Sequence, residues 1–147
     1  MTTQPPEARG LGGPLQGGRG PTPMIVLIDD DRSWSESAVA LLESEGFEVT
    51  TAEDGRRGLE LLERTAPLLV ILDAHMPRLG GLEVLRELRR RDRSVPVLMV
   101  SGEDQAALMA QALAEGASSF LRKPVGAELL LRAVRRLAGA NGAEKPC

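Results

Sequence analysis

Five short apolar runs recur along the chain and constrain its fold more than any other feature: MIVLI (24–28), FEVTTA (47–52), LLVIL (68–72), VPVLMV (95–100) and SSFL (118–121). Each has the length of a strand. Between them lie segments whose apolar residues fall three and four apart. Trp34, Ala38, Leu41 and Leu42 share one face over 34–45, and Leu82, Leu85 and Leu88 do the same over 82–90, flanked by Arg and Glu. That spacing makes a helical stripe. Gly46, Gly80–Gly81, Gly116 and Gly126 punctuate the alternation. Every connection has room for a helix, which parallel neighbouring strands require because no hairpin can join them. The central runs are apolar on both faces, as strands covered by helices on each side are. The pattern predicts (βα)5, a doubly wound parallel five-stranded sheet in a three-layer α/β sandwich.

The ends read differently. Residues 1–22 are rich in Gly and Pro and hold only two large apolar residues, Leu11 and Leu15. Such a segment cannot bury enough surface to offset the entropy of ordering it. The expected organisation is a disordered tail over 1–22, one domain over 23–138 and a second flexible tail over 139–147, within AGANGAEKPC. A chain of 147 residues suits one core better than two. With Trp34, Phe47 and Phe120 its only aromatic residues, that core must be built from Leu, Val, Ile and Ala. Met76 and Met109 are expected to pack into it. The Arg-rich RELRRRDR (86–93) ends a predicted helix, where cations suit the dipole, and reads as a solvated face.

Several function classes fall away. A net charge of −3 gives no electrostatic basis for direct nucleic-acid binding. No apolar run approaches the roughly 18 residues of a membrane span, and the N-terminus lacks the pattern of a signal peptide. The single cysteine, Cys147, permits no disulfide framework, so the expected location is the cytoplasm.

In an open parallel sheet, ligands bind outside the carboxyl ends of the strands. Asp29, Asp30 and Asp31 follow the first run, Asp73 the third, Ser101 the fourth and Lys123 the fifth. Asp29, Asp30 and Asp73 converge as hard oxygen donors. Two carboxylates about 4 Å apart repel by about 4 kcal/mol at an effective dielectric of 20, and a divalent cation relieves that repulsion. Few carboxylates with room for water suit Mg2+ (Mn2+ could substitute) better than a dedicated Ca2+ cage. A hydroxyl from Ser101 and an ammonium from Lys123 complete what phosphoryl transfer to a carboxylate needs. Asp31 is expected to cap the helix that follows.

These residues resemble the receiver domain of two-component response regulators, over about 24–138. The matching features are the acidic pair Asp29–Asp30, Asp73 followed by Met76–Pro77, Ser101, and Lys123–Pro124. The resemblance implies the flavodoxin-like form of the sandwich, with Asp73 as the phosphoacceptor for the phosphohistidine of a sensor histidine kinase. It implies that Asp30 and Asp73 bind Mg2+ directly, Asp29 through water, and His75 through its backbone carbonyl. Lys123 and Ser101 would contact the phosphoryl group, and Ser101 with Phe120 would form the switch. The His75 imidazole and Glu103 could tune the phosphoryl lifetime. The implied role is signalling rather than turnover catalysis, as a monomer or phosphorylation-dependent dimer. A downstream protein would dock over about 104–138. The chain reads as a stand-alone regulator, alternatively a phosphorelay intermediate. Gly80–Gly81 departs from the family's frequent Asp–Gly, and Phe120 from its frequent Tyr.

A competing enzyme reading takes Asp29, Asp31 and Ser33 as the DxDx[TS] motif of haloacid-dehalogenase-type phosphatases, with Asp29 as nucleophile. The longer core and second acidic pair of such enzymes are not found. Trp34, four residues beyond Asp30, should report on the pocket by fluorescence.

Overall fold

The structure is a computed structural model that describes residues 23–91, 93–102 and 106–142. The chain alternates without exception: β1 (Met24–Ile28), α1 (Arg32–Ser44), β2 (Glu48–Ala52), α2 (Gly55–Glu63), β3 (Leu69–Asp73), α3 (Gly81–Arg90), β4 (Val97–Ser101), α4 (Ala106–Ala114), β5 (Ser119–Arg122) and α5 (Ala127–Gly142). The strands form one parallel sheet in the order β2-β1-β3-β4-β5. This is the (βα)5 architecture expected from the alternation.

Side chains of a strand alternate between its two faces, and the central strands feed two cores. Val26, Ile28, Val70, Leu72, Val97 and Met99 pack on one side with Leu62, Leu85, Leu88 and Leu108 of α2, α3 and α4. Ile25, Leu27, Leu69, Ile71, Leu98 and Val100 pack on the other with Leu42 of α1 and Leu130, Val134 and Leu137 of α5. β3 and β4 are buried at every position, which is why their sequences show no polar alternation.

The strand ends shift from the apolar runs in an instructive way. Asp73 and Ser101 are the last residues of β3 and β4, not the first residues beyond them. The parallel ladder continues through them: Asp73 stands opposite Val100, the Ala74 N–H donates to the Val100 carbonyl at 2.8 Å, and the Lys123 N–H donates to the Ser101 carbonyl at 2.8 Å. A polar side chain does not end a strand whose backbone still has a partner.

Two expectations need correction. The helix α5 runs through Gly142, past the boundary at residue 138. Gly in a helix costs only about 1 kcal/mol, and each added turn gains backbone bonds, so glycines alone do not stop it. Met109 is exposed rather than packed. Arg86, Arg90 and Arg91 of the 86–93 run are exposed, as a solvated face requires, and carry surface ion pairs: Arg86 with Glu115, Arg91 with Glu63 and Glu87, and Arg90 with Glu87. Among the described residues Arg89 donates to the carbonyls of Gly116, Arg93 and Val95. Residues 1–22, 143–147 and Glu103 lie outside the described residues. Among the described residues no helix is long and apolar enough to cross a membrane.

Candidate functional site

The carboxyl edge of the sheet gathers the acidic residues from β1 and β3 and the lysine from β5. Asp29 is 2% exposed and Asp73 4%, while Asp30 is exposed. One carboxylate oxygen from each of the three lies within 4.8 Å of the others. Lys123 Nζ reaches Asp29 Oδ2 at 2.8 Å, Asp73 Oδ2 at 3.9 Å and Asp31 Oδ2 at 4.0 Å. The peptide joining Lys123 to Pro124 is cis.

The three consecutive aspartates have three different environments. Asp29 Oδ1 accepts from the Asp31 N–H at 2.8 Å. Its Oδ2 faces the Lys123 ammonium and has no directed hydrogen bond. Asp31 is the N-cap of α1, in extended backbone, and accepts from the Trp34 N–H at 3.1 Å, as its position before the helix predicted. Asp30 is left facing out.

Asp73 is the most perturbed of the group. Burial raises its carboxyl from the ordinary value of 3.8 to about 7, helped by the like charge of Asp29; Lys123 and a hydrogen bond from the His75 N–H act in the opposite direction. That bond, to Asp73 Oδ1, is 3.2 Å long. His75 itself is exposed. Ser101 is fully buried at the end of β4. Phe120, half-buried on the edge strand β5, stands opposite Met99 and packs against the first core.

The loop behind Asp73 is held by a close approach. A Cβ on Gly81 would lie 2.2 Å from the Asp73 carbonyl oxygen and 2.8 Å from Ala74 Cα, so the residue must be glycine. Gly80 is the N-cap of α3 and lacks a side-chain acceptor. The Glu83 carboxylate accepts from the Gly80 N–H at 2.8 Å instead, which is half of a capping box.

Sequence reasoning did not find two features. The Trp34 ring lies over the Lys123 ammonium, 4.8 Å from Nζ to the ring centroid. Gly81 is required by the Asp73 carbonyl rather than by a cap. The first had a faint signal in the spacing from an N-capping Asp31 to Trp34; the second had none.

The donor set fits a hard divalent cation. It offers carboxylate oxygens from Asp29, Asp30 and Asp73 within 4.8 Å of one another, and Asp29 has one oxygen buried without a hydrogen bond. Fold and site thus define a class: a doubly wound α/β domain whose carboxyl edge carries an acidic cluster with one lysine.

Comparison with known proteins narrows the class. Residues 25–135 match the family model of the response regulator receiver domain. The response regulator MprA of Mycolicibacterium vanbaalenii is 40% identical over 113 residues, which are 77% of this chain and 49% of that protein. MprA of Mycobacterium leprae is 39% identical, over 77% and 50%. A response regulator receiver domain protein from Clostridium thermocellum superposes with a TM-score of 0.77 at 31% identity, covering 82% of this chain and 97% of that one. The chemotaxis protein CheY4 of Vibrio cholerae gives 0.75 at 28%, covering 80% and 99%. The chain belongs to the response regulator receiver family of two-component systems. It spans about half the length of the curated relatives it matches. Receiver domains are signalling modules, and they generally bind Mg2+ at an aspartate cluster of this kind.

Proposed function

We propose that the domain accepts a phosphoryl group from the phosphohistidine of a sensor histidine kinase on Asp73, and so changes its affinity for a partner protein. The observation that carries this reading is the state of Asp73: buried at the end of β3, beside Asp29, 3.9 Å from Lys123, and pushed up to about 7. A carboxylate oxygen of Asp73 attacks phosphorus, the P–N bond breaks, and the histidine imidazole leaves with the bonding pair.

Asp30 and Asp73 would hold Mg2+ directly, Asp29 through water and His75 through its carbonyl. When bound, Mg2+ supplies neutralisation of charge on the carboxylates and the transferred oxygens. The protein's own groups do the rest. Lys123 pairs with the phosphoryl oxygens, and its present contact with Asp29 supports a position shared between the two acids. Ser101 donates its hydroxyl to a phosphoryl oxygen and moves inward, and Phe120 follows into the space behind it. The half-buried position of Phe120 on the edge strand β5 supports this role. The imidazole of His75, exposed at the mouth, tunes hydrolysis, with Glu103.

The output surface is the α4–β5–α5 face. The exposed large apolar residues Met109, Leu113 and Leu129 lie on α4 and α5, which support this placement. The phosphorelay-intermediate reading uses the same chemistry at Asp73. The phosphatase reading is opposed by Asp29, which is buried with one oxygen bonded to the Asp31 N–H and the other against Lys123, and by Asp31, which is committed to the cap.

The test is labelling with acetyl phosphate and Mg2+, followed by mapping of the adduct. The expected label is on Asp73, dependent on Mg2+ and abolished by Asp73→Asn. A label on Asp29 that survives that substitution overturns the proposal.

A further inference from the structure

We propose that Trp34 is a positioning residue for Lys123: its indole face holds the ammonium toward Asp29 and Asp73, so that the lysine meets an incoming phosphoryl group already oriented. This rests on the reading of Asp73 as phosphoacceptor.

A lysine head sits on a flexible stem and loses much rotamer freedom when fixed. Lys123 has three carboxylates within 4.0 Å, at 2.8, 3.9 and 4.0 Å. Two of these, on Asp29 and Asp73, lie inside the site. The third belongs to Asp31, whose side chain is half exposed. Charge alone would let the ammonium drift outward to Asp31 and water. The indole opposes that drift: Nζ lies over its ring, 4.8 Å from the centroid, and the lysine side chain is only 13% exposed.

The ring is itself anchored. Its backbone N–H is bound by the N-cap Asp31 in the first turn of α1, and its body packs against the second core with Val39 and Leu41. A leucine at this position would fill part of the volume without offering the negative π face that attracts a cation. The ammonium therefore has two kinds of electrostatic partner, the carboxylates and the ring face.

The experiment measures the rate at which acetyl phosphate labels Asp73 in saturating Mg2+, for the wild type, Trp34→Phe, Trp34→Leu, Lys123→Met and the Trp34→Leu/Lys123→Met double variant. In the same proteins without donor, NMR reads the chemical shift of the Lys123 methylene protons beside Nζ. Trp34→Leu should slow labelling about three- to twentyfold, the size of a partly desolvated cation–π contact, whereas Trp34→Phe should stay within about threefold of wild type. In the Lys123→Met background, Trp34→Leu should add no further loss. The Lys123 protons should show an upfield ring-current shift in the wild type and Trp34→Phe that vanishes in Trp34→Leu.

An equal slowing by Trp34→Leu with and without Lys123 overturns the proposal, since the ring would then act through packing. So does a wild-type lysine without the ring-current shift, a readout that needs no phosphorylation and no folded Trp34→Leu variant. A wild type that takes no label on Asp73 while showing the shift refutes the phosphoacceptor reading instead, and removes the role with it.

Discussion

Raising the pH from 4.5 to 8.5 should weaken the metal-free domain through Asp73. The folded state lifts this carboxyl from 3.8 to about 7, chiefly by burial and next by Asp29. Between those values the folded protein holds a proton that the unfolded chain releases. The stabilising contribution is therefore complete below about pH 4 and is lost as pH rises through about 7. A fully shielded group with this displacement would cost about 4 kcal/mol at pH 8.5; water reaching the open edge of the sheet reduces the expected figure to about 2–3 kcal/mol. Other acids act with the opposite sign. Glu87 and Glu115 are held below the ordinary range by hydrogen bonds from Arg91 and Arg86. They are the same in wild type and Asp73→Asn, so the difference between the two proteins isolates Asp73. Urea unfolding in the presence of a chelator should give stabilities that differ by about 1 kcal/mol or less at pH 4.5. The neutral variant should lead by about 2–3 kcal/mol at pH 8.5, with the change spread between about pH 4 and 7, the ordinary and the raised values. Millimolar Mg2+ at pH 8.5 should close the gap by stabilising the wild type, as a ligand of the folded state does. A difference that stays constant across this range would refute the argument that Asp73 is destabilised by burial and by its acidic neighbour.

Two further substitutions probe the scaffold. Gly81→Ala places a methyl 2.2 Å from the Asp73 carbonyl oxygen; it should cost about 1–3 kcal/mol in urea unfolding and shift the amide resonances of Asp73–His75. Arg89→Met removes the guanidinium that donates to the carbonyls of Gly116, Arg93 and Val95 and leaves those acceptors short of partners. A loss of about 2–4 kcal/mol is expected in urea unfolding, with the fastest new amide exchange at Ala117 and Ser118.

The fold was legible because a parallel sheet writes itself as isolated apolar runs with helix-length gaps, and because β3 and β4 have no wet face to interrupt them. The residues gathered at the site were legible for a related reason. The carboxyl ends of parallel strands all open on one edge, so listing the polar residues after each run brought Asp29, Asp30, Asp73, Ser101 and Lys123 to one place. Asp31 could be read locally as a cap. What the sequence could not state were approaches between distant segments. Lys123 has three aspartates to choose from, and nothing in its neighbourhood along the chain says that Asp29 Oδ2 is the nearest. Gly81 looks like a turn glycine until the Asp73 carbonyl is set against it. Arg86 and Arg90 of α3 and Arg91 just after it are exposed as expected, but nothing along the chain says that Arg86 meets Glu115 after α4 and Arg91 meets Glu63 of α2. The end of α5 lies at Gly142 rather than at the expected boundary of 138, because helix propagation outweighs the cost of its glycines.

The charges at the site also explain why one residue carries both the strain and the proposed chemistry. Three carboxylates (Asp29, Asp30, Asp73) and one ammonium (Lys123) lie together, so with every group ionised the cluster has a formal charge of −3 + 1 = −2. Asp30 is exposed and can be relieved by solvent, and Asp29 has Lys123 at 2.8 Å. Asp73 is buried, sees the same ammonium from 3.9 Å, and feels Asp29 beside it. The unrelieved charge therefore falls on Asp73, and a proton is the simplest way to remove it. A divalent cation would cancel the formal −2 and release that proton. The residue that most needs neutralisation is thus the one whose ionised oxygen would attack phosphorus in the proposed reaction. A variant that relieved Asp73 permanently, by removing Asp29, would leave Lys123 without its nearest partner. The arrangement holds Asp73 near neutrality at rest while keeping its charge available, and it requires all four residues to do so.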